Sequence, residues 1–176
     1  MIQVFKFGGA SVKDAKGVKN VANVINLTGK TKKVVVISAM GKTTNALEYI
    51  IELYFKKDES LKHEIEKLRA YHHDILDELF QTKQHPAYTK TNYFFDELNI
   101  FLDRNKSPNY DFVYDQVVAF GELISTSIVS QYLQHQGIDN AWHDCRNLID
   151  TDSTYRDADV NWERTQTKIK AHINPE

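Results

Sequence analysis

Lys6, Gly8, Gly9 and Ser11 stand together in the segment Lys6-Phe7-Gly8-Gly9-Ala10-Ser11, where a short apolar run gives way to a helical pattern. That set of residues suits an oxyanion. Two residues without side chains let backbone N–H groups come close to a phosphate, and the start of a following helix aims free donors and the positive end of its dipole at the same point. An ammonium at the end of an apolar strand is costly to desolvate unless an anion meets it, although a lysine there can also snorkel its amine to water. Ser11 and Asp14 fit a capping box, which starts a helix with or without a ligand. A second turn of small residues runs Ser38-Ala39-Met40-Gly41-Lys42-Thr43-Thr44-Asn45. The hydroxyls of Ser38 and Thr44 suit the orientation of a substrate and equally suit ordinary helix caps.

Better-known phosphate motifs do not fit. Gly29-Lys30-Thr31 and Gly41-Lys42-Thr43 invite a P-loop reading, but the earlier glycine that such a loop requires is replaced by Val24 and Val36. Gly8 and Gly9 are adjacent and position 13 is lysine, which removes the G-x-G-x-x-G spacing of a dinucleotide site. Counting from His63, Lys67 occupies the place of the second histidine in a zinc H-E-x-x-H motif, so His63, His72, His73 and Asp74 read as a solvated helix. His143, Asp144 and Cys145 alternate across an expected strand and do not converge, which leaves Cys145 as a core residue. His135, near a helix end, suits the free carbonyls there. Glu122 has Val118, Ala119, Ser125 and Thr126 as its helical neighbours. A carboxylate on so apolar and small a surface calls for a cation, while as a residue alone it reads equally well as a solvent-facing glutamate.

The elements that must position these groups begin with a βαβ unit. Residues 2–7 read as a strand, and residues 11–27 as a helix with Val18, Val21, Ala22 and Ile25 on one face. Thr28-Gly29-Lys30 closes that helix. Residues 33–37, a run of Lys-Val-Val-Val-Ile, read as a parallel strand covered on both faces. In an open α/β sheet the carboxyl ends of neighbouring strands form the crevice that binds ligands, and both small-residue turns lie there. Residues 45–106 form a helical section broken near Pro86 and Pro108, and residues 111–136 a further helix closed by Gly137. Residues 141–145 suggest a strand, residues 154–160 an extended segment and residues 162–173 a last helix. There is no internal repeat.

Composition narrows the function classes. With 176 residues, 41% of them hydrophobic and 26% charged, the chain is an ordinary globular domain or part of one. A net charge of −2 supplies no positive field, which argues against nucleic acid and membrane surfaces as partners. The single cysteine excludes an internal disulfide and a cysteine-based zinc site, in keeping with a reducing, cytoplasmic setting. The opening residues lack the apolar stretch of a secretory signal, and the densest apolar run, residues 34–40, falls short of the roughly 18 residues of a membrane span.

Four stretches, KFGGASV at 6–12, VVVISAMGKTTNAL at 34–47, FGELIST at 120–126 and DCRNLIDTDSTYRDADV at 144–160, resemble in order and spacing the N-terminal part of the aspartate kinases within the amino acid kinase family. The resemblance implies an α/β fold, a three-layer αβα sandwich around a mainly parallel sheet, incomplete here and with a helical section between strands. Residues 1–176 would be a partial catalytic domain, with the C-terminal nucleotide-binding half and regulatory domains absent and the isolated chain inactive. The implied reaction is ATP-dependent phosphorylation of the L-aspartate side-chain carboxylate to aspartyl phosphate, the first step toward lysine, threonine and methionine, with ATP and Mg2+ as cofactors and a homo-oligomer as the full-length state. On the same resemblance Lys6 neutralises the transferring phosphoryl group, Gly8, Gly9 and Ser11 form its loop, Ser38 and Thr44 contact the substrate, and Glu122 holds the aspartate amino group. Ala10 departs from the threonine more usual in the pattern; the hydroxyl is lost and the backbone donors remain. Two other readings stay open: a non-catalytic module that binds a partner through helices in residues 48–106, and a kinase of this fold acting on another small acid.

Overall fold

The computed structural model describes residues 2–29 and 31–173. Two strands, β1 (Gln3–Phe7) and β2 (Lys33–Ile37), pair in parallel in the register Gln3↔Lys33 to Phe7↔Ile37. A 3-10 turn (Gly9–Val12) and helix α1 (Ala15–Leu27) connect them. Then come α2 (Thr43–Lys56), α3 (Leu61–Leu79), α4 (Pro86–Arg104), α5 (Tyr110–His135), a 3-10 turn (Cys145–Asn147) and α6 (Trp162–His172). This is the α/β architecture expected, with the helical section inserted after β2. Of the turn expected at residues 28–30, Lys30 lies outside the described residues.

Local chemistry sets the element ends. Pro86 opens α4, where its missing N–H costs nothing, and the His85 ring accepts from Ala87 N–H. Asn109 caps α5 by accepting from Phe112 N–H. Gly137, at φ +73°, ends α5 by letting Gly137 and Ile138 donate back to Gln134 and Leu133. A break absent from the sequence reading separates α2 from α3: Lys57 turns the chain at φ 53°, a left-handed position held by a lysine.

Helix α5 is the centre of the molecule, touching α1, α2, α4 and β2. An 18-residue window of it reaches a mean hydropathy of 1.2, long and apolar enough to cross a membrane by length and composition. Here Val117, Ile124, Ile128 and Val129 are buried among the surrounding helices, so the apolar surface belongs to the core.

Several expectations need correction. β2 is covered on one face only: Val35 and Ile37 turn inward, whereas Val34 and Val36 are 40% and 46% exposed. Strand alternation puts Val4 on the same open face. Residues 141–145 form no strand; Trp142 Nε1 donates to Thr126 Oγ1 at 2.9 Å and Asn140 bonds Ser130, which ties this segment to α5. Cys145 is exposed rather than core. Residues 154–160 contribute only the end of one antiparallel bridge, Thr151↔Val160. His72 is fully buried, unlike the solvated residues expected around it, and His135 packs against the rings of Phe80 and His85.

Candidate phosphate and substrate site

Strand alternation places Lys6 on the open face beside its partner Val36. The side chain is exposed, yet its amine bends back over the loop: a Cβ at Gly8 would stand 3.6 Å from Lys6 Nζ. Below it the N–H groups of Gly8, Gly9 and Ala10 donate to no protein acceptor among the described residues, and Ser11 N–H donates to Gly8 O at 2.8 Å. An amine and amides without a protein acceptor among the described residues therefore lie in the same segment at the end of β1.

The expected capping box does not form. Ser11 lies exposed within the 3-10 turn, and Asp14 alone caps α1, its Oδ1 accepting from Gly17 N–H at 2.8 Å. The free donors near Gly8 thus lie in and just before the tight turn and not in α1, which starts four residues later than Ser11. The cause is a close approach, since a Cβ at Gly17 would lie 2.4 Å from Ser11 O, so the turn folds down onto the helix.

The second loop is bonded to the first. Ser38 N–H donates to Phe7 O and Gly41 N–H to Gly9 O, each at 3.0 Å. Gly9 permits this contact, because a Cβ there would stand 2.6 Å from Ala39 O. Helix α5 supplies the seat: Gly121 lets Ala39 pack against it, Ser125 Oγ donates to Ser38 O at 2.7 Å, and Glu122 Oε1 accepts Ala39 N–H at 3.1 Å. Neither Ser38 nor Thr44 makes a capping hydrogen bond, so the cap reading of those hydroxyls fails; α2 begins after Lys42 without a side-chain cap. Thr44 sits in the first turn of α2, half-buried like Ser38.

Contacts bring the first loop, which holds Lys6, Gly8, Gly9 and Ser11, next to Ala39 and Gly41 of the second, and tie Ser38 and Ala39 to Ser125 and Glu122 of α5, with Thr44 in the first turn of α2. Sequence reasoning passed over Gly121 and Ser125. Their spacing of four on one helical face was visible among the small neighbours of Glu122. It also missed His72, whose ring nitrogens stand 2.9 Å from Leu68 O and 3.4 Å from Thr43 Oγ1 beneath the second loop. Burial pushes that imidazole down to about 4.

Comparison with known proteins shows the family and the fold. A family model described as the amino acid kinase family matches residues 1–174. The chain belongs to the amino acid kinase family. Within it, the chain is similar to the bifunctional aspartokinase/homoserine dehydrogenase 2 of Escherichia coli (strain K12), 31% identical over 148 residues, which is 84% of this chain and 18% of that protein. The chloroplastic bifunctional aspartokinase/homoserine dehydrogenase 1 of Arabidopsis thaliana is 30% identical over 166 residues, 83% of this chain and 16% of the relative. The amino acid kinase fold is shared with E. coli aspartokinase III crystallised with aspartate and ADP, at a TM-score of 0.85 and 22% identity over 99% of this chain and 38% of that one. The Clostridium acetobutylicum aspartate kinase gives a TM-score of 0.73 at 19% identity over 97% of this chain and 36% of its own. The chain spans less than a fifth of the length of these curated relatives.

Proposed function

We propose that this chain carries the phosphoryl-binding and amine-binding parts of an aspartate kinase, which phosphorylates the side-chain carboxylate of L-aspartate at the expense of ATP. The observation that supports this reading most is the placement of Lys6 Nζ beside Gly8, at the start of a loop whose Gly8, Gly9 and Ala10 N–H groups donate to no protein acceptor among the described residues.

Phosphoryl transfer to a carboxylate asks a protein mainly to position the reactants and to spread negative charge. ATP supplies the phosphoryl group. Lys6 and the amides of Gly8, Gly9 and Ala10 hold its oxyanion from one side, and the open loop lets them approach closely. Glu122 uses Oε1 on Ala39 N–H, which fixes the carboxylate and leaves Oε2 for a substrate ammonium. Ser38 and Thr44 orient the acceptor with hydroxyls that no cap engages. An aspartate carboxylate is ionised at neutral pH, so the site needs no general base. A carboxylate that binds an ammonium also favours an amino acid over a simple acid as acceptor. Among the described residues no three His, Cys, Asp or Glu side chains gather around one point. Helices α2, α3 and α4 bury their apolar faces against neighbouring helices, among them α5.

Amide NMR of the 176-residue chain tests the reading. Millimolar ATP or inorganic triphosphate is expected to shift Gly8, Gly9 and Ala10, and Lys6→Ala to abolish the response. L-aspartate is expected to shift Ala39, and Glu122→Ala to abolish that. Spectra unmoved by either ligand at millimolar concentration overturn the proposal.

A further inference from the structure

Helix α3 reaches both loops through two consecutive residues. Tyr71 Oη donates to Lys13 O at 2.5 Å, on the backbone that joins the 3-10 turn to α1. The same hydroxyl fills the space left by the missing side chain of Gly41, where a Cβ would stand 2.7 Å from it, in a backbone held at φ +55°. Gly41 N–H donates in turn to Gly9 O. One phenol therefore touches the end of the first loop and the residue through which the second loop is bonded to it. Next along α3, buried His72 lies 3.4 Å from Thr43 Oγ1, which donates to Met40 O at 2.6 Å. Burial, with the nearby Asp14 charge, raises the Tyr71 pKa, so the hydroxyl keeps its donor proton at neutral pH.

We infer that Tyr71 is a positioning residue for the phosphate loop: by pinning Lys13 and Gly41 together it holds the amides of Gly8 to Ala10 in the arrangement that Lys6 faces. This rests on the proposed function. It also divides the site, because the attachments of the second loop to α5, Ala39 to Glu122 and Ser38 to Ser125, and the bond from Ser38 N–H to Phe7 O do not involve Tyr71.

The test compares the full chain with Tyr71→Phe, Gly41→Ala and the double variant. Affinities for inorganic triphosphate and for L-aspartate are read by amide NMR, together with hydrogen exchange at Gly41 and the thermal midpoint. Tyr71→Phe removes one hydroxyl and keeps the ring. It is expected to weaken triphosphate about fivefold, the equivalent of one neutral hydrogen bond, to speed exchange at Gly41, and to leave aspartate affinity unchanged. Gly41→Ala should cost triphosphate affinity on its own and cost less once Tyr71 is Phe, since the atom its Cβ would meet is then gone. Equal losses for both ligands, or additive effects with unchanged Gly41 exchange, overturn the inference. If the unsubstituted chain binds neither ligand, the kinase reading falls, and the Gly41 exchange rates still decide whether Tyr71 holds the loops.

Discussion

Glu122 and Ala39, 83 residues apart in sequence, meet through a single hydrogen bond in which the Ala39 N–H donates to the Glu122 carboxylate at 3.1 Å. That contact fixes the acid against the second loop while committing only one of its two oxygens. It links the long core helix, whose position is set by burial, to a loop whose position is set by β2, so a packing decision becomes a site geometry.

Two substitutions separate the roles of this carboxylate. Glu122→Gln keeps an oxygen for Ala39 N–H and removes the charge, so thermal stability is expected to stay near that of the unsubstituted chain while L-aspartate binding is lost. Glu122→Ala leaves the Ala39 donor without its partner and should cost a further 1–2 kcal/mol, roughly, in denaturant unfolding. Retained aspartate affinity in the Gln variant would sink the amine-binding role.

Adjacent glycines give opposite expectations. A Cβ at Gly9 would stand 2.6 Å from the backbone oxygen of Ala39 and 3.2 Å from that of Gly41, so Gly9→Ala must push the loops apart. A loss of about 1–3 kcal/mol in unfolding free energy follows, with loss of the triphosphate response. Gly8 has φ −77° and ψ 166°, open to any residue, and its Cβ would meet only Lys6 Nζ at 3.6 Å. Gly8→Ala should therefore fold normally and still bind triphosphate poorly, because the methyl group intrudes between amine and amides. Chemical denaturation paired with NMR titration distinguishes the two cases.

Acid sensitivity should report on His72. Burial lowers its pKa from the ordinary 6.5 to about 4, so the folded chain resists a proton that the unfolded chain accepts. Its contribution is intact above pH 6.5 and is lost as pH falls from 6.5 to 4, a change of about 3 kcal/mol. His85, lowered by burial and then by His135, acts in the same direction. Asp58 and Asp152, held low by hydrogen bonds from Ser60 and Thr154, act only below the ordinary carboxylate value. Urea unfolding followed across pH 4–7 is expected to show this loss, and His72→Gln to flatten it. An equally steep profile in the variant would assign the effect elsewhere.

Much of the site was legible because its physics is local. A glycine pair at the end of an apolar run, a lysine two residues before it and a second small-residue turn suggest a phosphate cradle by composition and spacing, and in the structure Lys6 Nζ lies beside Gly8 while Gly9 meets the second turn. What depends on partners far along the chain was not legible. Ser11 and Asp14 both qualified as caps, and the choice fell to Asp14 because Gly17 lets the preceding turn collapse onto α1. The apolar run of β2 gave no sign that Val34 and Val36 would remain uncovered among the described residues. Residues 141–145 alternate like a strand, yet in the structure Trp142 and the adjacent Asn140 bond polar groups on α5 instead. His72 looked solvated among charged neighbours because its helical face, toward Thr43 and Phe95, is set by packing of α3 beneath the loops.

Cys145 provides a chemical check on that same misread segment. It begins a 3-10 turn on the surface, where partial burial and then the charge of Asp144 raise its thiol pKa. Alkylation depends on the thiolate, so a surface thiol of this kind should react completely with iodoacetamide but slowly at pH 7, and faster as pH rises. Asp144 also accepts Arg146 N–H at 2.9 Å, a role asparagine can fill. Asp144→Asn therefore keeps the turn, removes the nearby negative charge and releases Arg146 from its ion pair, both of which favour the thiolate. Mass spectrometry of the time course is expected to show faster modification in the variant. Full protection of Cys145 in the folded chain would instead restore the strand and core placement that the structure replaces.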